Sequence, residues 1–257
     1  MVDADRPQCS TDADCAARGP AFEGAVCEMS TCRVQTRWSC LDQPEPAPAS
    51  SGSFTATFLL RDTVSQAPRV GVTARVCRRL DVICAEGISG VATTDATGHV
   101  SLVVPAGFDG YARFNDPSIA TTLFFFDPPM REDRADLLVS VHAPETAAAL
   151  AGLTGAEPNS SLGMALVTIF DCFGAAVEGV RVTAENVGGV AKTFYVRNGL
   201  PATTASSTDE TGYSGFVNAT PGTATFSAST DDLYIGSVTV QVQAGAQTIA
   251  YIVPHGT

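Results

Sequence analysis

Apolar residues alternate with polar ones in short runs along most of this chain, and turn residues separate the runs. Phe54–Leu60, Val72/Ala74/Val76, Val100/Leu102/Val104 and Leu137–Val141 each carry the two-residue period of a half-buried strand. Strand-like runs return in Ala165–Phe170, Val180/Val182/Ala184, Phe216-Val217, Val238/Val240/Val242 and Thr248–Val253. Leu123-Phe124-Phe125-Phe126 is continuously apolar, which predicts a buried strand with at most one face exposed, ended by Asp127-Pro128-Pro129. One segment breaks the strand habit. Pro144–Leu153 is rich in Ala with Glu145 near its start, which predicts a short helix closed by Gly155.

The strand runs recur in the same order. Asp62, Val70-Gly71-Val72, Thr94-Asp95-Ala96-Thr97-Gly98 and Pro105-Ala106-Gly107 are followed by Asp171, Glu178-Gly179-Val180, Thr208-Asp209-Glu210-Thr211-Gly212 and Pro221-Gly222. The offsets are 109 from Asp62 to Asp171, 108 from Gly71 to Gly179 and 114 from Gly98 to Gly212. A repeat of this length is a duplicated domain with one short insertion, since solenoid units recur at about 20–50 residues. The predicted class is all-β: two tandem antiparallel Greek-key sandwiches of about seven strands each. The boundaries predicted are a cysteine-rich knot at 1–40, a proline-rich linker at 41–52, copy one at 53–143, a helical connector at 144–161 and copy two at 162–257.

The order of these motifs, with a strand ending in Asp, a loop into Gly-Val, a Thr-Asp-x-x-Gly turn and a closing Pro/Gly turn, resembles the carboxypeptidase regulatory-like domain. The resemblance covers about 54–142 and 162–255. It implies a transthyretin-like (prealbumin-like) sandwich, grouped with carbohydrate-binding-like folds, and a non-catalytic module of exported bacterial proteins that serves adhesion, surface recognition or spacing. No binding residue is shared across that family, so the resemblance assigns no site.

The net charge of −12 excludes nucleic-acid binding, which needs clustered Lys and Arg. No run of 18 apolar residues is present, so no membrane span is expected. Five of the eight cysteines lie in the first 40 residues, where little apolar surface is available for a core. This density predicts disulfides and an oxidising compartment, whether extracellular, cell-surface or periplasmic. Met1–Asp5 has neither a basic start nor an apolar core, so no export signal is visible and a trimmed one is expected. Cys27 and Cys32 have zinc-like spacing, but Cys9 and Cys15 are too widely spaced to complete a tetrahedral set. The expected bridges are Cys9–Cys27, Cys15–Cys32 and Cys77–Cys84, which leaves Cys40 with Cys172. Four cysteines permit three connectivities, and spacing does not choose among them within 1–40.

His142-x-x-Glu145 with a later His255 resembles the zinc set of metallocarboxypeptidases. Those enzymes mount it on a large α/β domain, which 146–254 does not supply. A zinc-dependent hydrolase using His142, Glu145 and His255 is therefore the alternative reading, and the expectation is no enzyme and no cofactor. Intradiol dioxygenases share the sandwich but need two Tyr and two His on iron, in a pattern that His99, His142 and His255 do not make. No Gly-x-Ser-x-Gly elbow is present, and oxidised cysteines offer no thiolate. Asp12/Asp14, Asp209/Glu210 and Asp231/Asp232 lack EF-hand spacing and read as turn carboxylates. Sugar binding requires exposed aromatic rings, for which Trp38, Tyr111, Tyr195, Tyr213 and Tyr234 are the candidates. The expected role is binding or adhesion at a surface, toward a polysaccharide or another surface protein, with a purely structural spacer or assembly subunit as the non-enzymatic rival. Function is expected where the copies differ: the Cys77–Cys84 loop, the 144–155 helix and a longer 185–207 loop.

Overall fold

The computed structural model describes residues 8–22, 24–43, 51–85 and 87–254. Most of the predicted linker, residues 44–50, lies outside the described residues, as does His255. The described residues fall into two compact units, one within 1–45 together with Pro254 and the other within 46–253. No helix among the described residues is long and apolar enough to cross a membrane.

The smaller unit is built around its cysteines. A one-turn helix, α1 (Asp12–Ala16), precedes a hairpin of β1 (Ala25–Glu28) and β2 (Thr31–Val34). The two-residue turn, Met29-Ser30, has φ of 46° and 61°, the twist that joins tight antiparallel strands. Cys9 is bonded to Cys27 and Cys15 to Cys32, with Cα–Cα distances of 5.7 and 5.4 Å. Cys9, Cys15, Ala25 and Cys32 form the core, with Phe22 and Cys27 packed on it. The Asp14 carboxylate accepts from the backbone N–H groups of Ser10 and Thr11 at 2.7 and 2.9 Å, which holds it below the usual carboxylate range. Asp12 accepts from the Cys27 N–H at 2.8 Å. Both acidic residues before Cys15 thus order backbone.

Among the described residues, the larger unit is built of strands and one helix. The first repeat contributes β3 (Ser53–Asp62), β4 (Thr73–Arg78), β5 (Ala92–Thr93), β6 (His99–Pro105), β7 (Gly110–Asn115), β8 (Thr122–Phe125) and β9 (Arg134–Val141). Helix α2 (Pro144–Leu153) follows, with Pro at its first position where no N–H is needed. The second repeat contributes β10 (Gly163–Ile169), β11 (Arg181–Glu185), β12 (Lys192–Arg197), β13 (Leu200–Ala202), β14 (Tyr213–Ala219), β15 (Gly222–Ser229), β16 (Tyr234–Val242) and β17 (Gln247–Ile252).

Both repeats pair their strands in the same way. In the first, β3 lies between antiparallel β6 and parallel β9, while β4, β7 and β8 pair antiparallel in that order. In the second, β10 lies between antiparallel β14 and parallel β17, while β11, β15 and β16 pair antiparallel in that order. The repeats also share a sheet. β8 pairs parallel with β17, through Gln247↔Thr122, Thr248↔Leu123 and Ile249↔Phe124. The result is one nine-stranded sheet, β13-β12-β14-β10-β17-β8-β7-β4-β5, flanked by the three-stranded sheets β6-β3-β9 and β11-β15-β16.

Alternation decides which face each strand buries. Phe58, Leu60, Val100, Leu102, Val104, Val139 and Val141 from one sheet meet Ala74, Val76, Ala112, Phe114 and Phe124 from the other in a single core. Ile249 of the second repeat joins that core. Phe58 sits at its centre, with edge-on ring contacts to Phe114 and Phe124 at 5.1 and 5.2 Å. The Phe124-Phe125 pair is buried on both faces, because β8 is an interior strand: Phe124 joins the core, and Phe125 meets Tyr111 at 5.1 Å on the other side.

The 185–207 segment departs from expectation. Instead of an open loop it forms the β12–β13 hairpin, which extends the nine-stranded sheet. Thr193-Phe194-Tyr195-Val196 is a run of strand-forming residues, and Asn198-Gly199, with φ of 52° and 76°, is the favoured two-residue hairpin turn. β15 was hidden in the sequence by its small residues, although Ala224, Phe226 and Ala228 keep the period and are buried.

Candidate functional site

In both copies the polar groups of the repeated motifs are bound to backbone. Thr94 Oγ1 accepts from the Val72 N–H at 2.9 Å and donates to the Arg69 carbonyl at 2.6 Å. Thr208 Oγ1 repeats this with the Val180 N–H at 3.0 Å and the Val177 carbonyl at 2.6 Å. Asp95 Oδ1 accepts from the Thr97 hydroxyl at 2.7 Å and from the N–H groups of Thr97 and His99 at 2.8 and 3.0 Å, and these bonds, the hydroxyl's foremost, hold its carboxyl below the usual range. Asp209 Oδ1 accepts from the Thr211 N–H at 3.0 Å. The strand-ending Asp171 takes the N–H groups of Phe173 and Ala175 at 2.9 and 3.0 Å. Its counterpart Asp62 takes those of Val64 and Ser65 and pairs with Arg69, and the Ser65 and Arg69 contacts push its pKa far down.

The histidine–glutamate set is not assembled. His142 is 2% exposed, and Glu145 is exposed in the first turn of α2. A strand end and a helix start three residues apart turn these side chains to different surroundings. Burial drives the His142 pKa down to about 4, against a smaller upward pull from the Asp62 carboxylate, so the imidazole is neutral at pH 7. The described residues contain one tight group of metal-ligand types, Cys9, Cys15 and Cys32, whose sulfurs are already in disulfides. Cys77 is bonded to Cys84, and no cysteine is free.

Two of the candidate sugar-stacking rings are in the interior. Tyr111 has no exposed surface, and its hydroxyl donates to the Asp81 carbonyl. Tyr195 is 4% exposed, and its hydroxyl accepts from the Val182 N–H at 3.0 Å. A buried ring offers no face to a pyranose, so these two are corrected to core residues with a satisfied hydroxyl. Tyr213 and Tyr234 are exposed but lie on different sheets, and Trp38 is half-buried in the smaller unit.

Two places where the repeats differ carry built features. The Cys77–Cys84 loop presents Leu80 and Ile83 to solvent. Within it, Arg79 pairs with Asp109 and Asp127, lies 5.4 Å from the Phe125 ring and donates to the Thr239 carbonyl of β16. A guanidinium with this many fixed partners ties the loop across the two repeats. The second feature is a cavity of about 310 Å³ beneath α2. Ala147, Ala148 and Ala151 form its helical wall, and Leu162, Met164 and Val217 face them from the second repeat. His142 lines the same cavity, and its Nε2 has no hydrogen-bond partner among the described residues. Ala-rich composition marks the helix in the sequence but holds no signal for the cavity.

No family model matches this chain, and no curated protein matches it. Similar solved structures include the TIE protein of Bacillus anthracis, at 10% identity and a TM-score of 0.27, covering 80% of this chain and 34% of that one. The chain thus spans about a third of that structure. Shaft pilin SpaA of Lactobacillus rhamnosus GG matches at 12% identity and a TM-score of 0.26, covering 81% and 99% of the two chains. GBS52, a minor pilin of Streptococcus agalactiae, matches at 13% identity and a TM-score of 0.26, covering 79% and 95%. Likenesses this faint carry no argument about this chain.

Proposed function

We propose that this chain is a non-enzymatic binding or adhesion module of an exported, disulfide-cross-linked bacterial surface protein. The observation that carries the reading is the fate of the duplicated motif. In both repeats its Asp and Thr side chains are taken up by backbone N–H and carbonyl groups, so duplication multiplied a scaffold and left the differing segments to recognition. Oxidised cysteines support a compartment outside the reducing cytosol. The matching strand pairings of the two repeats support the resemblance to carboxypeptidase regulatory-like, transthyretin-like sandwiches. A polysaccharide or another surface protein is the partner class, with Tyr213 and Tyr234 as the exposed rings for a sugar face.

The test uses the whole chain, because the shared sheet makes β8 and β17 partners and separate repeats would expose that joint. Immobilised protein is screened against a polysaccharide panel, alongside Tyr213→Ala and Tyr234→Ala. Binding weakened by either substitution supports carbohydrate recognition. Hydrolysis of a panel member overturns the non-enzymatic reading, and silence across the panel moves the partner to a protein.

Assembly through sheet edges is the structural rival, and the repeat geometry bears on it. β9 and β16 are the counterparts of β17 and β8, and each has one strand neighbour among the described residues. A second copy could add there in the manner of the internal joint. Both edges carry obstacles. A register shift between Ala56 and Phe58 bulges the β9 pairing, where exposed Asp136 has φ of 53°, and Arg79 occupies the Thr239 carbonyl on β16.

A further inference from the structure

We propose that the cavity beneath α2 is a binding site for a small uncharged molecule with an apolar body and a hydroxyl group, which hydrogen-bonds to His142. This site is separate from the surface role above, and either can fail without the other. Three observations support it. The first is size: about 310 Å³ lies at the lower end of the range for small-ligand pockets. The second is the wall. Three alanines of α2, two prolines, Leu162, Met164, Val217 and Ala246 contribute carbon, and no Asp, Glu, Lys or Arg lines the space. A charged ligand would lose its hydration there without a counter-charge.

The third is His142. A buried polar atom without a protein partner costs free energy, and its partner is commonly a water or a ligand. The imidazole is neutral at pH 7, so one ring nitrogen donates and the other accepts. A hydroxyl can do both, and it satisfies Nε2 in either tautomer. A carbonyl or an ammonium satisfies only one. The rim residues are partly committed: Asn218 donates to the Glu157 carbonyl at 2.9 Å, and Asn159 accepts from the Ser161 N–H at 2.9 Å. Among the residues lining the cavity, His142 is the one with a buried side-chain polar atom that lacks a partner.

The α2 segment has no counterpart in a single repeat, because it is the connection between the two. A site there exists only in the joined pair, which is a reason for the helix to carry small residues where leucines would close the gap. Ala147, Ala148 and Ala151 fall at positions three and four apart, on one helical face.

The test compares phenol with toluene, which have nearly the same shape and differ by the hydroxyl, using the full chain at pH 7. Binding is followed by the NMR resonance of the His142 Cε1–H. Phenol is expected to shift that resonance saturably, and toluene to bind about tenfold more weakly, the effect of one hydrogen bond. His142→Phe removes that probe, so in this variant phenol binding is followed by the methyl resonance of Met164, which also lines the cavity, and it should fall to the toluene level. Ala148→Leu, which fills the cavity from the helix and favours helix formation, should abolish binding of both. Should Ala148→Leu unfold the chain, Ala147→Leu replaces it. The proposal is overturned if phenol leaves the His142 resonance unmoved up to its solubility, if toluene binds as tightly as phenol, or if the leucine variants bind like the parent.

Discussion

Gly98 and Gly212 occupy the same place in the two repeats, and substituting each by alanine tests the duplicated scaffold quantitatively. Gly98 has φ of +84°, and a Cβ there would stand 2.7 Å from the Leu60 carbonyl oxygen and 3.0 Å from Pro68 Cβ. Gly212 has φ of +68°, and its Cβ would stand 2.7 Å from the Ile169 carbonyl oxygen and 3.1 Å from the Val177 nitrogen. Holding alanine in the left-handed region costs about 1–2 kcal/mol. The carbonyl in the way belongs to a strand paired on both sides, so relief must come from the turn. Moving the turn strains the Leu60 N–H bond to Gly98 at 2.9 Å, or the Ile169 N–H bond to Gly212 at 3.0 Å, worth about 1 kcal/mol. The expected loss is about 2–3 kcal/mol at each site, or roughly 4–12 °C in Tm for a unit of this size. Gly174→Ala is the control. Its φ of +76° carries the conformational cost, but no atom lies within 4 Å of its Cβ. Urea and thermal unfolding without reductant measure all three, and the double variant should lose the sum of the two single losses. If Gly98→Ala and Gly212→Ala cost no more than Gly174→Ala, the close approach of turn to strand is not what the glycines serve.

Three further outcomes are expected. Stability should fall as pH drops from about 6.5 to about 4, because the unfolded chain protonates His142 before the folded one does; the loss is on the order of 3 kcal/mol. The contribution is fully present above 6.5, Asp62 adds its own loss below 3.8 because its folded pKa is depressed, and His142→Phe should flatten only the upper window in pH-dependent unfolding. Tyr195→Phe should cost about 1–2 kcal/mol in urea unfolding, since it leaves the buried Val182 N–H without its 3.0 Å acceptor; an unchanged midpoint would refute this. Replacing Cys77 and Cys84 together by serine should cost about 2–3 kcal/mol from the reopened short loop. Non-reducing peptide mapping of the parent should return that bridge, together with Cys9–Cys27, Cys15–Cys32 and a Cys40–Cys172 peptide, the last being our proposal from the cysteine count.

Local signals were legible along most of the chain. Two-residue alternation places β3 and β6, because a strand with one buried face must repeat every second residue, and a continuous apolar run places β10, which is buried on both faces. The Thr-Asp-x-x-Gly turns are readable for a similar reason: the side chains that close them are within a few residues of the backbone they bind. Asn198-Gly199 was equally local, and its hairpin was missed because the surrounding residues lie in the longer insert of copy two. Burial of Tyr111 and Tyr195 was not legible, since a tyrosine in a strand reads the same whether its hydroxyl meets water or a backbone group of a distant segment.

By itself, then, the amino-acid sequence determined the β character, the duplication, the turn chemistry and the Pro144–Leu153 helix, all set by neighbours a few residues apart. Only the tertiary structure decided that β8 and β17 join the repeats into one sheet, that His142 and Glu145 part company, and that the helix covers a cavity beside an unpartnered imidazole. The β8–β17 joint depends on a contact between segments more than 100 residues apart, and the cavity on the packing of α2 against strands of the second repeat. Strand pairing uses backbone groups that every residue carries, so periodicity shows which residues face inward but not which strand lies alongside.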